Sequence, residues 1–468
     1  MAGLDSTKSE VGVIGLDAAG AGVARNLADH QFKVAACDWG PRQRAASPAP
    51  PVRLAANARE LIANLRQPRT ILISSLAGQS ADSVIEELLP GLEEGDLLMD
   101  AGNSYFKDTA RHRRRLTDRG IQFMGVGLAG GQEGPGQGAI VMAGGGSEAR
   151  ERTRPLLEAI AAKVGGKPCV SSLETVAAAH FAKMVHGGIE HALLELLSET
   201  FDLMQRALRL SDEEMRQTPG VWQADALIGY LMEIGGRVFE PADDRTARPL
   251  LEHKLEAARQ DAQGEWMARS ALELEVSIPT IDVAVGTLAI GARDRQRAFV
   301  ATPSRQPAGR CGDDAPSVLE ELHGALQAAM IVTYSQGLAL LAAASAHHGF
   351  HYKLDDLCRA WRGCAPLRAA LLEDIAAALE TTPDLPDLLS DEDLSEKLMA
   401  RQECLRRAVW RAHKLDTLAQ AMLVSLDYLD SNRRAWLPFN LIQVPPRPPA
   451  QARAAADRPF LSACETIG

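Results

Sequence analysis

Between Val11 and about Val170, short apolar runs alternate with amphipathic stretches. The runs are VGVIGL (11–16), FKVAAC (32–37), TILISSL (70–76), DLLMDAG (96–102) and QFMGVGL (122–128). Apolar runs of this length, separated by segments of helical period, predict strands joined by helical crossovers, and hence a parallel, doubly wound α/β sheet. Ligands of such sheets sit in the crevice beyond the carboxyl ends of the strands, so functional residues are expected directly after these runs. From about Ala178 the strand pattern stops. Segments rich in Ala, Leu, Glu and Arg follow, such as HFAKMVHGGIEHALLELLSETFDLMQRAL, VLEELHGALQAAMIVTYSQGLALLAAASAHH and RAALLEDIAAALE, and they predict a large all-α domain. Residues 302–314 and 381–388 read as loops, and the Pro-rich stretch from Val444 as an extended tail. The expected organisation is an α/β domain over 1–177, a helical domain over 178–443 and a C-terminal tail over 444–468.

The 468 residues suffice for two or three domains with a large core. A net charge of −11 without a long basic run argues against a nucleic-acid partner. Seven scattered cysteines, an odd number without a Cys-x-x-Cys pair, fit a reducing compartment and predict neither a disulfide framework nor a metal site. The N-terminal MAGLDSTKSE lacks the apolar core of a signal, and no window approaches 18 uninterrupted apolar residues. The expectation is a cytoplasmic protein without membrane attachment.

The first run leads into Gly15-Leu16-Asp17-Ala18-Ala19-Gly20 and then an amphipathic stretch, GVARNLADH. Strand, glycine turn and helix in this order form the context of a dinucleotide fingerprint: Gly15 and Gly20 permit the tight turn, and the helix N-terminus attracts a pyrophosphate. Asp17 departs from the pattern, because it occupies the second glycine position and puts a carboxylate where the pyrophosphate would lie. The second run ends in Cys37-Asp38-Trp39. An acidic residue there, Asp38, holds the ribose hydroxyls and repels a 2′-phosphate, which favours NAD over NADP, although Arg42 and Arg44 lie just beyond.

Farther along, Lys183, His186, Gly187 and Glu190 fall at offsets 0, 3, 4 and 7, one face of a helix. A base, an imidazole and an acid then point together. The adjacent Gly187 and Gly188 cost roughly 2 kcal/mol in a helix interior relative to alanine, so something must approach the backbone there, a ligand or a packed element. Asp100-Ala101-Gly102-Asn103-Ser104 brings an amide to the end of a strand, and Gly127-Leu128-Ala129-Gly130-Gly131-Gln132-Glu133-Gly134 is a glycine-rich loop whose amides can meet substrate oxygens.

With GLDAAGAGVARNLA, MDAGNSYFKDT, GVGLAGGQEG, HFAKMVHGGIEHALLELLSE and WLPFNLIQ in this order, the chain resembles the 6-phosphogluconate dehydrogenase family of the β-hydroxyacid dehydrogenase group from about Val11 to Gln443. The resemblance implies a Rossmann-like domain followed by a helical domain, and a homodimer whose C-terminal tails reach the partner's active site. It implies NAD(P)-dependent oxidation and decarboxylation of 6-phosphogluconate to ribulose 5-phosphate, a step of gluconate utilisation and the pentose phosphate pathway. Lys183 is then general base and later acid, its pKa lowered for the task, and Glu190 protonates the enediol. Asn103, Gly130, Gly131, His186, His191 and Arg447 match substrate-binding positions, and Gly15, Gly20, Asp38 and Asn103 cofactor-binding ones.

Several positions depart from the family. Ala129 replaces a serine, Gly187 an asparagine and His191 a tyrosine; Asp261 and Leu288 stand where an ungapped comparison places phosphate-binding cations. In the tail, Pro446 replaces an arginine, with Arg447 adjacent. Asp38-Trp39 replaces the pair that grips a 2′-phosphate, and Leu76 a lysine. Three readings remain open at the sequence level: a 6-phosphogluconate dehydrogenase with a divergent pocket, an NAD-dependent dehydrogenase of an unphosphorylated 3-hydroxy acid, and a non-catalytic paralogue. Arg259, Lys254, Arg269 and Arg447 are candidate replacements for the missing cations.

Overall fold

The structure, a computed structural model, describes residues 7–38, 51–74, 81–130, 138–210, 214, 263–291, 314–363 and 370–443. Two compact units form, Met1–Leu426 and Asp427–Gly468.

The first unit opens with β1 (Val11–Ile14), α1 (Ala18–Asp29), β2 (Val34–Cys37), β3 (Arg53–Leu54), α2 (Ala58–Ala63), β4 (Thr70–Ile73), α3 (Ala81–Leu88), β5 (Leu97–Asp100), α4 (Phe106–Thr117) and β6 (Gln122–Gly130). Then come β7 (Ala139–Gly144), α5 (Ser147–Ile160), a small hairpin of β8 (Lys163–Val164) and β9 (Lys167–Pro168), and β10 (Val170–Leu173). The main sheet has the order β10-β7-β6-β5-β4-β1-β2-β3. Every residue of β1, β2, β4, β5 and β7 is buried, which is why those strands read as unbroken apolar runs and not as alternating ones. Helices α1 and α5 cover one face with Ala24, Leu27, Leu157 and Ile160; α2 and α3 cover the other with Leu61, Ile62, Val84 and Ile85. Each such Leu, Ile or Val contributes roughly 1.5–3 kcal/mol by leaving water.

The expected parallel arrangement holds for β1 with β2 and β4, for β4–β5–β6, and for β7 with β10, but β6 and β7 pair antiparallel, Gly125 opposite Gly144. The β6–β7 pair is the antiparallel exception within an otherwise parallel sheet. Only residues 131–138 separate the two strands, too few for the crossover of a dozen or more residues that a parallel pair requires.

The helical part begins with α6 (Val176–Leu208), whose Thr175 side chain caps the N-terminus by accepting from Ala178 N at 3.3 Å. Then follow α7 (Gln263–Glu273), α8 (Pro279–Gly291), α9 (Ala315–His348), α10 (Leu354–Trp361), α11 (Leu371–Thr381), α12 (Glu392–Met399), α13 (Gln402–Lys414) and α14 (Gln420–Asn432). α6 and α9 form the spine. A Cβ at Gly337 of α9 would lie 2.5 Å from Ile189 Cδ1 of α6, so glycine sets the close approach of the pair. Among the described residues α9 is the one helix long and apolar enough to cross a membrane, and most of it is buried within the protein. In the second unit, Pro438–Gln443 forms 3-10 turns closed by the Asn440 side chain, which accepts from Leu437 N, while Trp436, Leu437, Phe439 and Ile442 are exposed. The Pro-rich tail read from Val444 onwards lies outside the described residues.

Candidate active site

The carboxyl edge of the sheet gathers the turn after β1, Asp38 after β2, Ser74 after β4, Asn103 after β5 and Gly130 at the end of β6. Gly15 has φ +94°, and a Cβ there would lie 1.8 Å from the Ser74 carbonyl oxygen. A Cβ at Gly20 would lie 2.0 Å from the carbonyl oxygen of Gly15. Both glycines are therefore required by the turn itself, as a dinucleotide-binding turn demands. Two of its amides are engaged by side chains. Asp17 is the N-cap of α1, its Oδ1 accepting from Gly20 N at 2.8 Å and from Ser74 Oγ at 3.1 Å. Asp38, half-buried, accepts from Leu16 N through Oδ1 at 3.3 Å.

Lys183 reaches the sheet edge because three glycines let α6 lie directly on the strands. A Cβ at Gly125 would stand 2.3 Å from Val176 O, at Gly127 2.7 Å from Lys183 Cβ, and at Gly144 2.1 Å from Thr175 O. The Lys183 stem is thus seated on β6 at Gly127, three residues before Gly130, itself exposed with φ +76°. Behind it, His180 bonds Thr109 Oγ1 through Nδ1 at 2.7 Å and Asp100 O through Nε2 at 3.1 Å, fixing α6 against the β5–α4 connection that carries Asn103. Asn103 is exposed.

Lys183 and Glu190 are half-buried, and His186 between them is fully buried, its ring edge-on to Trp361 at 5.3 Å between centroids. Burial, then the positive charge of Lys183 and of His191, holds His186 well below the ordinary imidazole pKa. His186 is therefore neutral at pH 7, and its 3.9 Å approach to Glu190 Oε2 is a contact between a neutral ring and a carboxylate rather than an ion pair. Among the described residues both ring nitrogens lack a hydrogen-bond partner, so there one donor and one acceptor of the neutral ring are unused. Gly188 admits α7, since a Cβ there would meet Met267 Sδ at 2.1 Å. At Gly187 a Cβ would meet Gln263 Oε1 at 2.8 Å, so a buried carboxamide from α7 faces the bare backbone.

Of the residues expected from the sequence, the structure places Lys183, His186, His191 and Glu190 on α6 beside the end of β6 with Gly130, while Gly15, Gly20, Asp38 and Asn103 line the same sheet edge. Gly131, Gln132, Glu133, Gly134, Trp39, Arg42, Arg44, Leu76, Lys254, Arg259, Asp261, Pro446 and Arg447 lie outside the described residues. Leu288 is half-buried on α8, and Arg269 pairs with Glu265 on α7. Sequence reasoning missed Gln263, Trp361 and the seat at Gly127. The glycine doublet signalled that an element approaches α6, but nothing in the local pattern named α7 as that element.

Comparison with known proteins agrees with this geometry. The family described as the NAD binding domain of 6-phosphogluconate dehydrogenase matches residues 10–171, and that of the 6-phosphogluconate dehydrogenase C-terminal domain matches residues 179–445. The chain belongs to the 6-phosphogluconate dehydrogenase family. A decarboxylating 6-phosphogluconate dehydrogenase of Synechocystis sp. is 35% identical over 446 residues, 93% of this chain and 92% of that one. The NADP(+)-dependent, decarboxylating enzyme of Bacillus subtilis is 34% identical over 450 residues, covering 93% and 94%. The solved 6-phosphogluconate dehydrogenase of Plasmodium falciparum, studied in its apo form and with NADP+ or 6-phosphogluconate, superposes with a TM-score of 0.81 at 27% identity, covering 93% of this chain and 95% of that one. The family supplies a nicotinamide-binding Rossmann-like domain followed by the helical domain.

Proposed function

We propose that the chain oxidises and decarboxylates 6-phosphogluconate to ribulose 5-phosphate, with a nicotinamide dinucleotide as hydride acceptor. The observation that carries this is the placement of Lys183, His186 and Glu190 on one face of α6, with the Lys183 stem pressed on Gly127 of β6, three residues before the strand ends at Gly130. When bound, the nicotinamide takes up the hydride from C3. Lys183 removes the proton of the C3 hydroxyl, which leaves the lysine protonated beside the new ketone. The same ammonium returns its proton to the ketone oxygen as the carboxylate leaves as carbon dioxide, so no charge is stranded on the enediol. Glu190, one helical turn and three residues along, delivers a proton to carbon while Lys183 takes back the hydroxyl proton of the enediol, which gives the ketone. His186, neutral and wedged against Trp361, orients the substrate by one hydrogen bond; Asn103 and the amide of Gly130 hold further oxygens. Gly131, His191 and Arg447 complete the proposed substrate contacts.

Asp38 at the end of β2 supports a preference for NAD over NADP, because a carboxylate repels a 2′-phosphate. The domain limits 1–177, 178–443 and 444–468 are part of the same proposal, as is a cytoplasmic homodimer, supported by the exposed Trp436, Leu437, Phe439 and Ile442. The test is nicotinamide reduction by the purified chain with 6-phosphogluconate, alongside gluconate, with NAD and with NADP. Turnover of 6-phosphogluconate is expected, faster with NAD. Turnover of gluconate alone would assign the site to an unphosphorylated hydroxy acid, a reading that Leu288 on α8 favours, and no turnover by folded protein would leave a non-catalytic paralogue.

A further inference from the structure

The turn between β1 and α1 is shaped for an anion and already holds the chain's own. Gly15 and Gly20 have no room for a Cβ, because each would meet a carbonyl oxygen of the turn's own packing, Ser74 O and Gly15 O. Yet Gly20 N donates to Asp17 Oδ1 at 2.8 Å, Ser74 Oγ donates to the same oxygen at 3.1 Å, and Leu16 N donates to Asp38 Oδ1 at 3.3 Å. Two carboxylates therefore occupy amides at the positive end of α1. A helix N-terminus stabilises one anion well, but a second anion beside it meets like charge at short range. Asp17 is half-buried and is followed by the exposed Ala18, so rotation about its side chain carries the carboxylate into water and frees Gly20 N.

We propose that Asp17 is an internal competitor of the cofactor's pyrophosphate: its carboxylate caps α1 and must leave Gly20 N before the diphosphate binds, so Asp17 sets the affinity for the dinucleotide. This rests on the reading of the chain as a nicotinamide-dependent enzyme. The competition is independent of the 2′-position and acts on NAD and NADP alike. It also differs from a general electrostatic effect, since it needs a diphosphate on the ligand.

The experiment is calorimetric titration of the full chain and of D17N and D17G with NAD, NADP, ADP-ribose and adenosine, at fixed ionic strength and without substrate. Asparagine caps helices as well as aspartate, so D17N keeps the fold and removes only the charge, while D17G removes charge and cap together. D17G, which vacates Gly20 N, is expected to bind NAD, NADP and ADP-ribose on the order of tenfold more tightly than the wild type; D17N, whose neutral cap still has to leave, is expected to gain by a smaller factor, and neither is expected to bind adenosine better. A dissociation constant that is unchanged or larger in folded D17N and D17G, with the wild type binding firmly, overturns the proposal and leaves the enzymatic reading standing. An equal gain for adenosine overturns it as well. Absence of binding to all three proteins overturns both.

Discussion

At the scale of single residues, the site is decided by what lies beside each side chain. The stem of Lys183 packs on Gly127 of β6, and replacing it with methionine keeps that packing while removing the proposed base. Lys183→Met is expected to fold normally and to lose about 10²–10⁴-fold in kcat with 6-phosphogluconate, measured by nicotinamide reduction beside thermal melting. Gly187 shows how a departure from the family can be absorbed by a neighbour. An asparagine placed there would put its Cβ 2.8 Å from Gln263 Oε1, the far end of a flexible side chain. Gly187→Asn is therefore expected to cost about 1 kcal/mol in stability, offset in part by gains of helix propensity, and the added variant Gln263→Ala is expected to relieve the clash. A thermal-melting double-mutant cycle with no coupling between the two positions would show that they do not touch. Lys183, Glu190 and Asn103 were legible as candidates from type and spacing. That His186 is neutral was not, because its charge state depends on burial against Trp361, a residue 175 positions away by numbering.

Between elements, the decisive contact is the seat of α6 on β6 and β7. Gly125 and Gly144 face backbone carbonyls of Val176 and Thr175, which cannot swing aside as a side-chain tip can. Gly125→Ala is expected to push α6 off the strand, lower stability by about 1–3 kcal/mol, and reduce activity by displacing Lys183. Denaturant unfolding and steady-state kinetics check both effects; a stable, fully active variant would show that the helix position is not set here. The sequence displayed the GVG pattern of 125–127 as part of a strand, and strand it is, but the reason for the glycines lies in a helix that begins fifty residues later.

For the molecule as a whole, Glu199 couples α6 to a distant helix. Buried in the core, its carboxylate accepts from Ala421 N at 2.7 Å and from Met422 N at 3.0 Å and so caps the start of α14. Desolvation nonetheless pushes it up to about 7, against those two hydrogen bonds and with the nearby Glu195 adding to the rise. The unfolded carboxylate ionises near pH 4.5 and the native one near 7, so ionisation favours the unfolded state across this window, and stability falls as pH rises through it. Relative to Glu199→Gln, which has no proton to lose and keeps one acceptor oxygen, the wild type is expected to lose on the order of 2–3 kcal/mol between pH 4.5 and 8, read from urea midpoints of both proteins. Parallel pH profiles for the two would rule out this role for Glu199. Light scattering is expected to return twice the chain mass, as the exposed apolar residues of the second unit suggest.

The sequence by itself determined the order of the main elements, the sheet edge at which the candidate residues gather, the split between an α/β and a helical part, and the set of candidate side chains. Those properties follow from local periodicity and from residue type, which a linear chain displays. Tertiary structure alone decided that β7 runs against β6, that Asp17 turns inward to cap α1, that α7 covers Gly187 and Gly188, and that His186 carries no charge. Each of these depends on distances between residues far apart in sequence, and on the exclusion of water that results when they meet.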